Sequence, residues 1–348
     1  MFNIPHPISH SIANFLRAVR LHQRHVANPF TMALILAFFM SAIYKPAIAQ
    51  EYPARPIRMI VPFPPGGATD RVARMIASKL SLSMGQQVIV DNRPGAATRI
   101  GTEIASKSTP DGYTLFICAL THVTNPSLFK SLPYDPIRDF SPITLAARTP
   151  LALLIHPTVP AASIKELIAL SKTRPNGLNY ASAGSGTAAH LGMELFKVVS
   201  DIKATQISYK GAGPQVTAMI SGQVELGFAT TSTARPHVRS GRLKALAVAS
   251  PMKSKSFPDV PTFAELGYSN FEVFAWSGLM APAKTPASII RQLNQETNKA
   301  LNMPDVQKAF EADDIEANPG TPQAMAKYIK SEISKWAAVI RKAGITAE

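Results

Sequence analysis

The chain has 348 residues, a formal net charge of +14 and 46% hydrophobic residues, so it can bury more than one core and is not a disordered polyelectrolyte. Its single cysteine excludes an intramolecular disulfide and a cysteine metal cluster. Lys and Arg are scattered without a basic run and aromatics reach only 7%, which removes the charged, aromatic-studded face that nucleic acid requires.

The chain opens without an acidic residue before Glu51. Arg17, Arg20 and Arg24 precede the apolar run Phe30–Tyr44, and Ala47-Ile48-Ala49 places small residues before Gln50. This is the pattern of a secretory signal peptide, residues 1–49, cleaved after Ala49. The apolar run falls short of the ~20 residues of a membrane span, so an uncleaved anchor is the weaker alternative. The mature chain is expected to be exported. What remains is long enough for two domains of ordinary size.

From Ile57 the chain reads strand, loop, helix. Ile57–Val61 is apolar and of strand length, whereas Pro62–Ala68 carries three prolines and two glycines and cannot be regular structure. Val72, Ala73, Met75, Ile76 and Leu80 then share one helical face, with Thr69 or Asp70 as N-cap. Gly66 and Gly67 let a ligand approach the backbone, and the helix start offers unpaired N–H groups to an anion. A proline-stiffened connection that binds nothing is the other reading.

The same logic recurs. Val88–Val90 is strand-like, Asp91–Ala96 is a turn-rich loop, Ile100–Ser106 is helical, and Tyr113–Cys118 reads as a buried strand after the turn Pro110-Asp111-Gly112. Strand, crossover helix and strand imply a parallel sheet with ligands at the carboxyl ends of its strands. The loops at 63–69, 93–98 and 120–125 are expected at that edge. A boundary is expected near 148–150, where Leu151–Ile155 begins a new apolar run. Ser163 to Glu166 is a capping box for a helix over Ile164–Ser171.

A second copy follows: strand Leu178–Ala181, small-residue loop Ser182–Thr187, helix Ala188–Val199. Its G-S-G-T-A-A resembles a dinucleotide fingerprint, but no acidic residue closes the next strand, Thr205–Ser208, so a nicotinamide cofactor is not expected. The loop suits one carboxylate, held by backbone N–H groups and the hydroxyls of Ser182, Ser185 and Thr187. Tyr209–Pro214 is a third glycine loop before a helix over Gln215–Ser221. A strand over Val224–Phe228 brings Thr230 and Thr231 toward the same cleft. After a strand at Ala245–Ala249, the tail is helical over Ser288–Leu301, Val306–Ala312 and Thr321–Ala343, and Trp276 and Trp336 read as core. His122, His156, His190 and His237 are too far apart for a metal motif. Ser185, His190 and Asp201 supply the residue types of a hydrolase triad, but the G-x-S-x-G elbow is missing because residue 183 is Ala.

Five blocks carry a family resemblance: Tyr52-Pro53…Val61-Pro62-Phe63…Gly66-Gly67…Asp70; Asn92-Arg93-Pro94-Gly95-Ala96; Pro110-Asp111-Gly112-Tyr113-Thr114; Leu132-Pro133-Tyr134-Asp135-Pro136; and Tyr209-Lys210-Gly211-Ala212-Gly213-Pro214. With Gly184…Gly186…His190 and Pro236-His237…Gly241-Arg242, they resemble the substrate-binding proteins of the tripartite tricarboxylate transporter family, also called the Bordetella uptake gene family. The resemblance spans essentially residues 50–348. It implies an α/β, two-lobed, Venus-flytrap periplasmic binding protein, each lobe a mainly parallel sheet flanked by helices. Lobe 1 would be residues 50–149 plus 275–348 and lobe 2 residues 150–274.

The resemblance further implies a small carboxylate in the interlobe cleft and handover to membrane permease subunits. It implies no enzymatic activity, cofactor or metal, and a monomer. First-lobe contacts would be Phe63, Gly66, Gly67, Thr69, Asp70, Thr121 and His122. Second-lobe contacts would be Ser182, Gly184, Ser185, Gly186, Thr187, His190, Lys210, Gly211 and Thr230. A ligand sensor that hands the closed state to a signalling partner would use the same cleft. The chain departs from the family in two places. Ala97-Thr98-Arg99 replaces glycine and a small polar residue, and Arg99 either reaches a distal carboxylate or, as exposed arginines commonly do, is solvated. Ala229 stands where many members have an acid, which weakens the case for an amino-acid ligand.

Overall fold

The computed structural model describes residues 52–345, so the expected signal peptide lies outside the described residues. In the first half, β1 (Ile57–Val61), α1 (Ala68–Met84), β2 (Val88–Asn92), α2 (Arg99–Ser106), β3 (Thr114–Ala119) and α3 (Leu120–Leu128) alternate. β1 pairs in parallel with both β2 and β3. Both faces of this sheet are covered. In β3, Leu115 and Ile117 join one apolar cluster while Phe116 and Cys118 join another, as a two-residue period requires. Residues 120–125, read from sequence as a loop, instead start α3 directly after β3.

The long strand β4 (Phe140–Ile155) joins the two halves. Its first part runs antiparallel to β9 (Phe274–Pro282), from Phe140 opposite Pro282 to Pro150 opposite Phe274. From Leu151 it changes partners, to β7 (Leu226–Thr230) on one side and β8 (Lys244–Val248) on the other. The second half repeats the first: α4 (Ile164–Thr173), then β5 (Leu178–Ser182), α5 (Ala188–Ser200), β6 (Ala204–Ser208), α6 (Ala212–Ile220), and β7 followed at once by α7 (Thr231–Arg239). β5 is parallel to β6 and β7. Each half is therefore a parallel trio tied to the other by antiparallel crossing strands. The capping box forms: Ser163 Oγ accepts from the Glu166 N–H, and Glu166 reaches back to the Ala162 N–H.

After β9 the chain closes on the first half through α8 (Ala287–Leu301), α9 (Pro304–Ala312), the two-residue β10 (Glu316–Ala317) against β4, and α10 (Pro322–Lys342). α8 and α9 bury Leu293, Leu301, Val306 and Phe310 against the face that α1 also covers. α10 lays Met325, Ile329, Trp336 and Ile340 on the opposite cluster. None of the described helices is long and apolar enough to cross a membrane.

Candidate functional site: a cleft ringed by helix N-termini

All six parallel strands end at one cleft, and each is followed by a helix whose N-cap lines it: Gly67, Thr98, Ala119, Thr187, Gly211 and Thr230. The unpaired N–H groups of a first turn carry a partial positive charge, so this edge favours an anion. The halves touch across it. Thr124 Oγ1 donates to the Gly186 carbonyl at 3.1 Å, and Arg71 Nη2 donates to Ser232 Oγ at 2.7 Å. Gly211, at φ +104°, brings its backbone so close to Pro64 that a Cβ would lie 3.1 Å from the ring.

The cleft has two compartments. The inner one, about 130 Å³, takes in the N-caps of α1, α3, α5, α6 and α7, together with Leu151, Gln215 and Trp276. No charged or titratable side chain among the described residues lines it. Trp276 is 1% exposed, and its Nε1–H has no hydrogen-bond partner among the described residues. A buried donor left unmade costs about 1–3 kcal/mol, which an acceptor in this space would offset. The outer compartment, about 1060 Å³, is wider and carries two cations, Arg99 and Lys210. Phe63, Pro64, Thr121, Ala183, Thr187 and Gly211 line both and form the neck between them.

The residues expected in the site divide. Gly67, Thr69 and Thr230 reach the inner compartment, Gly184, Ser185 and Lys210 the outer one, and Phe63, Thr121, Thr187 and Gly211 border both. Gly66, Asp70, His122, Ser182, Gly186 and His190 line neither; they hold the walls. Asp70, expected as N-cap or ligand contact, is 2% exposed and turned back on its own loop. Its carboxylate accepts from the Gly66 N–H, Arg74 Nε and Asn92 Nδ2. Burial alone would raise its pKa, but these bonds outweigh burial and hold it below the ordinary carboxylate value. The N-cap of α1 is Gly67, without a side-chain bond.

The histidines are also supports. His122 Nε2 donates to the Pro136 carbonyl at 2.9 Å, and its ring stacks parallel to Tyr134. His190 Nδ1 accepts the Gly186 N–H at 3.1 Å, which fixes its neutral form with the proton on Nε2. Burial pushes both down to about 4, against a raising influence of the Pro136 carbonyl on His122 and of Glu194 on His190. Ser182 Oγ accepts from Gln206 Nε2 and the Gly184 N–H. No triad assembles on Ser185: Asp201 caps the far end of α5 from His190 and pairs with Lys172.

Sequence reasoning missed Trp276 and Gln215. Gln215, in the first turn of α6, spends its Nε2–H groups on the Ala181 and Phe228 carbonyls, tying the ends of β5 and β7 together beside the inner compartment. It also missed the backbone before α2. Ala96, Ala97 and Thr98 all have φ between +48° and +73°, a left-handed run that costs L-residues roughly 1–2 kcal/mol each. The run is pinned by Thr98 Oγ1 donating to Thr121 Oγ1 and by Asn125 Nδ2 donating to the Ala97 carbonyl, each at 2.9 Å.

Comparison with known proteins points the same way. The signature of the family described as "Tripartite tricarboxylate transporter family receptor" matches residues 72–345. Protein BugT of Bordetella pertussis (strain Tohama I) is 41% identical over 316 residues, which is 90% of this chain and 97% of that protein. The solved structure of R. palustris Rpa4515 with adipate is 32% identical at a TM-score of 0.82, covering 85% of this chain and 99% of that one. The periplasmic binding protein BugD is 33% identical at a TM-score of 0.81, covering 85% and 100%.

Proposed function

The chain belongs to the tripartite tricarboxylate transporter receptor family of periplasmic solute-binding proteins, and we propose that it captures a small carboxylate in the inner compartment and delivers it to the membrane subunits of such a transporter. One observation carries this reading: five helix N-caps, from both halves of the molecule, converge on a space that no charged side chain among the described residues lines. A carboxylate there is held by backbone N–H groups and hydroxyls. Charge-assisted hydrogen bonds of roughly 1.5–3 kcal/mol each bring micromolar affinity, about 8 kcal/mol, within reach of four or five bonds after ordering costs. The adipate bound by the related R. palustris protein is of the same chemical class.

The lobes are assigned as residues 50–149 with 275–348, and 150–274. The change of partners along β4 between Pro150 and Leu151 supports that division. A ligand held from both lobes favours the closed form and shifts the population toward it, and the closed form is what a membrane partner would read. Export to the periplasm with cleavage after Ala49 completes the proposal.

A thermal-shift screen against mono-, di- and tricarboxylates, aromatic acids and acidic amino acids tests the function. A ligand at 100 times its dissociation constant adds about 2.7 kcal/mol of stability. Ala229 borders the inner compartment and no acid lines it to pair an ammonium group, so simple acids are expected to outrank aspartate and glutamate. Silence from a folded protein across every acid would refute the carboxylate reading.

A further inference from the structure

The outer compartment is built to receive a second anion. Arg99 opens α2, and its guanidinium lies 4.0 Å from the centroid of the Phe129 ring while its Nε donates to the Ala96 carbonyl at 3.0 Å. These two contacts fix the plane of the group. They leave both terminal Nη groups without a hydrogen-bond partner or a carboxylate among the described residues. Its neighbours differ: Arg58 and Arg93 pair with Asp91, and Arg74 pairs with Asp70. The left-handed run from Ala96 to Thr98 sets the direction in which Arg99 leaves the backbone, and unfavourable backbone persists where its surroundings over-determine it. Lys210, on the opposite half, lines the same compartment and likewise has no ion-pair partner among the described residues. Between the two compartments lies the neck of Phe63, Pro64, Thr121, Ala183, Thr187 and Gly211, which offers a ring and a backbone approach to a chain of methylene groups.

We propose that Arg99, assisted by Lys210, receives the distal carboxylate of a linear α,ω-dicarboxylate whose first carboxylate sits at the helix N-termini. This rests on the carboxylate reading of the inner compartment and adds the side chain of this protein that selects for a second carboxylate. The free edge of the Arg99 guanidinium presents two parallel N–H donors, the fork that matches a carboxylate. A monocarboxylate of equal length fills the neck but leaves this fork unmet.

The test is calorimetry with adipate and hexanoate, which share a six-carbon chain and differ in one carboxylate. The expected result is adipate at least tenfold tighter in the unaltered protein. Arg99→Gln is expected to lose at least tenfold in adipate affinity with hexanoate unchanged, and Arg99→Lys to fall between. Equal affinity for the two acids in the unaltered protein would overturn the proposal and leave the carboxylate site standing. So would an Arg99→Gln loss shared equally by hexanoate, which would mark Arg99 as a support of the loop. Failure of both acids and of every other carboxylate would overturn both readings.

Discussion

The inner and outer compartments are walled by the same strand–helix turns and share a neck, yet they present opposite chemistry. The inner one presents backbone: five N-caps, hydroxyls, and no charge. The outer one presents side chains: a fixed guanidinium and an ammonium. Backbone N–H groups persist through most substitutions, so the inner compartment is sensitive to volume and loop geometry and indifferent to charge. The outer compartment is where single substitutions can change the ligand. Arg99 lies on that side.

The largest effect expected from breaking the comparison is on the walls. Unfolded, His122 and His190 titrate near 6.5; folded, burial lowers both to about 4. A depressed histidine contributes stability that is complete above 6.5 and drains away as pH falls toward 4, because the unfolded chain takes up the proton first. The loss is on the order of 3 kcal/mol for each histidine over that window. The lowered carboxylates, Asp70, Asp91 and Asp135 among them, act toward its acid end and below. The groups facing His190 are Glu194 and Lys197, and the charge nearest His122 is Asp135. Urea unfolding from pH 7 to 4.5 should show a steep fall in stability, flattened in His122→Asn. A level profile between 6.5 and 4.5 would mean that neither ring is buried neutral. Protonating His190 also removes the acceptor for the Gly186 N–H, so acid loosens the wall that the second half lends to the cleft.

Next in size is the inner volume. Gly67 has φ −76°, open to any residue, and a Cβ built there meets no protein atom within 4 Å. Gly67→Val therefore costs the fold little and fills the compartment. We expect at least 100-fold weaker binding of adipate and hexanoate alike, about 2.7 kcal/mol, at an unchanged melting temperature. Unchanged affinity would take the β1–α1 loop out of the site.

How much of this was legible follows from local chemistry. The unit from Ile57 to Leu80 was readable because strand, glycine loop and helix differ in period and composition within a short stretch. α3 and α7 were not. Both start directly after a strand with no Gly or Pro to announce the turn, and both carry an internal proline, Pro126 and Pro236, that reads as a breaker. The first part of β4 was missed because Pro142 and Pro150 interrupt it and its partner, β9, lies far along the chain. Family likeness drew Asp70, His122 and His190 into the site as ligand contacts, and the hydroxyl of Ser182 drew it in from the loop pattern as well. Sequence shows that a polar residue is near a loop and not whether its atoms are already spent within it. Trp276 is the reverse: size and burial read as core, and only the three-dimensional arrangement sets its unpaired donor beside the inner compartment.

The smallest expected effect separates these roles at Trp276. Its ring packs edge-on against Tyr328 at 5.4 Å, and Phe can keep most of that contact while lacking Nε1–H. Removing a donor that is unpaired in the free protein relieves its burial cost and offsets the packing lost with the smaller ring, so stability should move little. In the complex the same change removes one hydrogen bond to the ligand, worth about 1 kcal/mol, or roughly a five- to tenfold loss of affinity. The pattern across ligands carries more information than the size. An equal loss for adipate and hexanoate in Trp276→Phe places Nε1 at the carboxylate both acids share, in contrast to Arg99, whose removal should touch adipate alone. A loss confined to adipate would move Trp276 to the far end of the ligand and exchange the parts assigned to the two compartments. No loss for either acid would return the residue to the core.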